Sequence, residues 1–248
     1  MKDTRFERTE LLFGEKSTSI FQKAHVAVFG LGGVGSFLTE ALARMGIGRL
    51  SLFDGDVYTK SNLNRQLYAL PQSIGQLKTE VAKERIAALN EKIEVFTHPV
   101  FLTKENVYDI DFSAFDYIAD AIDTVSVKIE LAVIAQRLGI PIISAMGAGN
   151  KTDPTAFRVA DIYETKVCPL ARLMRTELRK RGVASCRVVY SEEPPRAPLC
   201  QEPAREKANG QKPKTPKKAP LGSCSFVPSA AGLIMAAEVS KGLLQKGV

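Results

Sequence analysis

Apolar and polar positions change period along this chain in a way that lays out its elements before any motif is considered. Residues 25–30 (HVAVFG) are a short run rich in branched and aromatic side chains that breaks into glycines. Behind them Phe37, Leu38, Leu42 and Met45 recur at helical spacing, which predicts strand, tight turn and helix. RLSLF at 49–53 predicts a second strand ending at Asp54, and a polar loop and a helix over 75–89 complete a βαβ unit. Further strands are predicted at 93–97, 115–119 and 140–144, with a helix over 126–138. Such alternation predicts an α/β, Rossmann-like fold whose mainly parallel sheet is covered on both faces.

Beyond Gly149 the rhythm changes. Strands are predicted at 156–162 and 187–190, flanking a basic helix over 169–181. This divides the chain into a nucleotide-binding core, 1–150, and a smaller C-terminal α/β lobe, 151–248, within one structural domain. Residues 194–220 hold seven of the 13 prolines and a local charge of +5, which predicts a mobile basic crossover. From 229 to 244 a helical pattern returns toward the sheet.

Composition narrows the class. Of 248 residues, 45% are apolar and 25% charged, enough for a large core and unlike a disordered or fibrous chain. The formal charge of +7 makes a polyanionic partner an expectation. MKDTRFERTELLFG contains no signal core, and no run reaches the roughly 18 apolar residues a membrane span needs, so a cytoplasmic protein is expected. The apolar stretch 227–244 is interrupted by Pro228, Ser229, Glu238, Ser240 and Lys241 and reads as a packed helix rather than an anchor. Cys168, Cys186, Cys200 and Cys224 show no C-x-x-C spacing, which predicts free thiols.

Gly30, Gly32, Gly33 and Gly35 lie in GLGGVG, directly after a predicted strand and opening a predicted helix. That context suits phosphate oxygens approaching backbone N–H groups at the positive end of a helix. Asp54 falls 22 residues after Gly32, where a carboxylate accepts from ribose hydroxyls. To this point a nicotinamide enzyme fits equally well. SNLNRQ, with Asn62 and Arg65, and Lys78 at the next helix favour a triphosphate, whose roughly four negative charges must be neutralised before a phosphorus is attacked. Asp123, after the fourth strand, is at the sheet edge where one carboxylate can hold Mg2+.

GLGGVGS, DGDVYTKSNLNRQ, GQLKTEVAKERI and AIDT resemble the adenylation domain of the ubiquitin-activating, ThiF/MoeB-like, superfamily. The resemblance implies that Gly33 and Asp54 hold ATP, that Arg65 and Lys78 grip its phosphates, and that Asp123 binds Mg2+. It also implies a homodimer in which Arg8 reaches the neighbouring subunit's site; otherwise Arg8 is a surface residue of an N-terminal helix. ETKVCPLARLMRTELRKRG, VVYSEEPP and LGSCSFVPSAAGLIMA resemble the tRNA threonylcarbamoyladenosine dehydratase branch, described also as cysteine-desulfurase-associated. Membership would imply an ATP-dependent dehydration and cyclisation of N6-threonylcarbamoyladenosine next to the tRNA anticodon, with sulfur-relay proteins as further partners. Adenylation of a ubiquitin-like sulfur carrier is the alternative, and a nicotinamide-dependent oxidoreductase a third.

Under the dehydratase reading, a threonyl carboxylate becomes a competent electrophile once AMP or phosphate is transferred to it. The neighbouring ureido group then closes a five-membered ring intramolecularly. The basic segment 166–181, also +5, becomes the expected RNA contact through Arg172, Arg175, Arg179, Lys180 and Arg181, a solvated helix face being the alternative. Lys212, Lys214, Lys217 and Lys218 in the crossover are additional candidates. Cys224, before the last helix, is a candidate acyl-capturing nucleophile or an inert thiol. A monovalent cation is a further candidate cofactor.

Overall fold

A computed structural model describes residues 4–197, 199–200 and 221–247. Two short helices, α1 (Glu7–Phe13) and α2 (Lys16–Lys23), lead into β1 (His25–Phe29), α3 (Gly35–Met45) and β2 (Arg49–Phe53). Then come α4 (Lys78–Leu89), β3 (Glu94–His98), β4 (Tyr117–Asp120), α5 (Val125–Leu138) and β5 (Ile142–Ala145). The C-terminal part adds β6 (Phe157–Asp161), α6 (Pro169–Lys180), β7 (Arg187–Ser191) and α7 (Phe226–Lys246). Every helix and strand expected from periodicity is present to within a few residues; α2 was not anticipated, its buried Ser17 and Phe21 being too few to set a period.

All seven strands form one sheet in the order β3-β2-β1-β4-β5-β7-β6, parallel except for the β6–β7 pairing. Residues after 150 therefore extend the sheet of the first 150, with Val189 of β7 paired to Ala145 of β5. Side chains alternate between faces along each strand. Val26 and Val28 of β1 join Leu38, Leu42, Leu50, Ile86, Met235 and Val239 in the core beneath α3, α4 and α7. Ala27 and Phe29 join Phe53, Phe112, Leu131, Ile134, Met174 and Val188 beneath α5 and α6. Each fully buried aliphatic side chain here contributes about 1.5–3 kcal/mol.

α7 is long and apolar enough to cross a membrane by length and composition alone, but half of that stretch is buried within the protein. It lies against α3 so closely that a Cβ on Gly232 would stand 2.4 Å from the Val34 carbonyl oxygen. That contact brings Pro228, at the start of α7, over the glycine turn that follows β1.

Between β3 and β4 the chain crosses over β1, so neighbouring strands β1 and β4 send their connections in opposite directions. A crevice opens at that switch, beyond the carboxyl ends of the strands, where open α/β sheets bind ligands.

Candidate functional site

The crevice is a cavity of about 1050 Å³. Gly30, Gly32, Gly33, Asp54, Asn62, Arg65, Lys78 and Asp123, chosen from sequence, all line it. Gly30 adopts φ +87, and a side chain on it would collide with the Ala121 backbone at 2.8 Å. Gly35 does not line the cavity. Its hydrogen faces the Gly30 carbonyl, which a Cβ would approach to 1.8 Å, so Gly35 closes the turn onto α3. A Cβ on Gly32, by contrast, would meet only Gln66 Nε2, at 3.9 Å. That position is bare toward the cavity, where a phosphate group can reach the main chain.

Asp54 is fixed by its neighbours: Oδ2 accepts from Leu31 N–H at 2.7 Å and Oδ1 from Asp56 N–H at 2.9 Å. Burial raises its pKa above the usual aspartate value, opposed by the ammonium of Lys78 and those two N–H groups. Lys78 opens α4 as the sequence implied, yet it is only 5% exposed rather than solvated. Its Nζ donates to Asp56 Oδ2 at 2.9 Å and stands 3.9 Å from Asp54 Oδ2. Asp56 is thus the counter-ion of Lys78. Asn62 is buried and caps its own turn, Oδ1 accepting from Thr59 N–H at 3.0 Å. Arg65 is held by the Ser61 carbonyl at 2.7 Å and Asn64 Oδ1 at 3.0 Å, with its side chain beside Gly33.

Asp123 follows β4 on a connection anchored from below. Asp120 and Lys128 form a fully buried ion pair of 2.9 Å. Lys128 Nζ also donates to the Ile122 carbonyl at 3.0 Å, and Ile122 N–H donates to Asp120 Oδ1 at 3.2 Å. The neighbouring Cys186 thiol is pushed up to about 12 by burial and by Asp120, so it is an unreactive core thiol. Among the described residues no cluster of three or more His, Cys, Asp or Glu could hold a metal. Asp123 alone fits Mg2+, which commonly takes one or two carboxylates together with substrate phosphates and water.

Other candidates do not themselves line the cavity. Arg8 is exposed on α1. Cys224 is half-buried against the core with its thiol donating to the Lys151 carbonyl at 3.8 Å, while Ser223 faces the cavity. On α6 the charges are unequally free. Arg175 is tied to Thr165, Lys180 and Arg181 both pair with Glu177, and Arg179 lies over the Tyr163 ring at 5.2 Å. Arg172 is exposed beside Leu173, which lines the cavity. Lys212, Lys214, Lys217 and Lys218 lie outside the described residues.

Sequence reasoning missed the opposite wall: residues 145–151, Cys168, Leu170, Leu173, Pro195 and Leu221. The signal available was AMGAGN, a run of small residues directly after a predicted strand.

The comparisons agree with this architecture. The ThiF family model matches residues 6–248. The tRNA threonylcarbamoyladenosine dehydratase of Bacillus subtilis (strain 168) is 43% identical over 243 residues, 97% of this chain and 95% of that protein. Crystal structures of the Escherichia coli tRNA N6-threonylcarbamoyladenosine dehydratase, TcdA, in complex with AMP and with ATP, each superpose with a TM-score of 0.85 at 33% identity. They cover 98% of this chain and 94% of that one. With the family model spanning nearly the whole sequence and the glycine turn, Asp54, Arg65, Lys78 and Asp123 meeting in one cavity, the chain belongs to the ThiF family.

Proposed function

We propose that this chain uses ATP to dehydrate and cyclise N6-threonylcarbamoyladenosine next to the anticodon of tRNA. The observation that carries the reading is 43% identity to a dehydratase of that name over 97% of the chain, supported by the glycine turn, Asp54, Arg65, Lys78 and Asp123 lining one cavity. In the first step a threonyl carboxylate oxygen bonds to a phosphorus of ATP, and pyrophosphate leaves if AMP is transferred, or ADP if phosphate is. In the second, the ureido group attacks the activated carbonyl carbon, AMP or phosphate departs, and a ureido proton is lost. The sum removes one water from the nucleoside.

Each protein group has a physical task. The bare main chain at Gly32 admits phosphate oxygens, and Asp54 receives ribose hydroxyls. Arg65 and Lys78 neutralise charge that otherwise repels the incoming carboxylate. Asp123 would hold Mg2+, which when bound supplies further neutralisation of the phosphates. Ring closure needs no protein nucleophile, so Cys224 is assigned none. Arg172, exposed beside the cavity-lining Leu173, and Arg179 carry RNA phosphate. The functional unit is a homodimer with Arg8 completing the partner's site, and it works in the cytoplasm. Contact with sulfur-relay proteins and a bound monovalent cation remain parts of the same reading.

The test is mass measurement of tRNA, with and without the modification, after incubation with MgATP. Modified tRNA should lose one water and unmodified tRNA should not change; no loss with active-site-intact protein refutes the proposal. Asp123→Ala should abolish turnover with the melting temperature preserved, because its side chain is exposed in the cavity wall. Near-normal turnover would remove it from the site.

A further inference from the structure

Among the described residues three lysines are almost wholly buried: Lys128 at 1% exposure, Lys151 at 3% and Lys78 at 5%. An ammonium taken out of water is costly unless an anion compensates it. Lys128 has Asp120 at 2.9 Å and Lys78 has Asp56 at 2.9 Å. Lys151 has no described carboxylate within ion-pair distance; its Nζ donates to the Glu193 main-chain carbonyl. The Glu193 carboxylate is turned elsewhere, accepting from the N–H groups of Thr152 and Asp153, each at 2.9 Å, and from Arg196 at 3.2 Å. Burial accordingly lowers the Lys151 pKa, with Cys168 and Glu193 acting against that shift.

Lys151 lines the same cavity as Asp54 and Lys78, but on the connection after β5, which β1 and β4 separate from the β2 end that holds Asp54. The same wall contains the start of α6, where Cys168, Pro169 and Leu170 face the cavity and no side chain caps the helix. Pro169 has no N–H, so the N–H groups of Leu170 and Ala171 and the positive end of the helix dipole add to the field of Lys151. A Cβ on Gly147 would stand 3.6 Å from Cys168 Sγ, so this glycine lies close to the start of α6, and Leu173 and Leu221 supply apolar surface. With the nucleotide on the Gly32–Asp54 side, this half is left for the acid.

We propose that the half-cavity between residues 145–151 and the start of α6 is the acceptor subsite, and that Lys151 receives the carboxylate about to be activated. The site rests on the function proposed above and locates its second substrate. Bond formation to phosphorus moves the acid's charge onto the departing group, and the cyclised product is uncharged at this position. Lys151 thus favours the free acid over the product and assists release.

The probe is an anticodon stem-loop RNA carrying N6-threonylcarbamoyladenosine, compared with the same RNA as its threonyl methyl ester, at fixed salt. Wild-type protein should bind the acid about tenfold tighter than the ester, about 1.4 kcal/mol. Lys151→Met, close in shape, should erase that preference and raise KM for modified tRNA about tenfold, with ATP affinity within about twofold of wild type. Lys151→Arg should retain part of it. An unchanged preference in Lys151→Met, or ATP affinity falling in parallel with RNA affinity, overturns the assignment. If Lys151→Met does not fold, equal binding of acid and ester by wild type does the same. Failure of wild-type protein to dehydrate modified tRNA removes the function itself, whereas intact wild-type turnover with no acid preference removes only the Lys151 site.

Discussion

Gly32 and Gly35 belong to one motif but are constrained by different things, and substitution separates them. Gly35→Ala places a methyl group 1.8 Å from the Gly30 carbonyl oxygen, a backbone atom that cannot swing aside, and overpacking of this kind costs about 1–3 kcal/mol or more. A Cβ on Gly32 meets no atom closer than Gln66 Nε2, at 3.9 Å, and the position lies outside the left-handed region. We expect Gly32→Val to melt within a few degrees of wild type yet bind ATP at least about tenfold more weakly by calorimetry, since its branches occupy the phosphate path. Equal ATP affinity would show that the nucleotide does not approach Gly32. The two glycines look alike in sequence; only the distance from Gly35 to the Gly30 carbonyl tells them apart. Lys78 teaches the same lesson. Its place at the head of α4 was readable from spacing, but its burial against Asp56 depends on how the 54–56 turn folds back over α4.

Helices α3 and α4 are joined by Glu40, whose carboxylate accepts from Arg44 on its own helix at 2.7 Å and from Arg85 on α4 at 2.9 Å. Burial pushes its pKa upward, but the hydrogen bonds and charges of Arg85 and Arg44 outweigh this and hold it below the ordinary glutamate value. A depressed carboxylate pKa contributes stability above the unfolded pKa, and that contribution is lost as pH falls through the folded value. The urea midpoint of Glu40→Gln should therefore lie below wild type at neutral pH. The gap should narrow once pH drops under the usual glutamate value of about 4.3. A gap independent of pH would mean that the loss is one of packing. Both arginine heads are partly exposed, so the effect at neutral pH should be modest, about 1 kcal/mol. The sequence placed both helices correctly; a contact 45 residues apart in the chain has no local signature.

At the scale of the whole molecule, the site has two walls joined by the sheet: one from the β1 and β2 ends, the other from the β5 end and α6. If Arg8 acts across a dimer, Arg8→Ala and Asp123→Ala proteins, each inactive alone, should recover activity on mixing. Random exchange gives one intact site in each mixed dimer, so about a quarter of wild-type activity is the ceiling. No recovery after demonstrated subunit exchange would place Arg8 outside the partner's site. Leu11 and Leu12 on the same α1 are 88% and 75% exposed, consistent with a surface that meets another chain.

What the sequence determined by itself was the succession of strands and helices and the glycine-turn, Asp54, Arg65, Lys78 and Asp123 positions that meet in the cavity, because hydrophobic period and glycine spacing are local and the chain writes them in consecutive positions. It also held the charge excess and the polar loop that favoured a triphosphate over a nicotinamide. Tertiary structure alone decided which buried cations have anions. Asp56 neutralises Lys78 from 22 residues away, Asp120 neutralises Lys128, and Lys151 is left with the Glu193 carbonyl, 42 residues on. These pairings depend on how the chain folds back on itself, and the last forms only when β7 joins β5 and extends the sheet across the site.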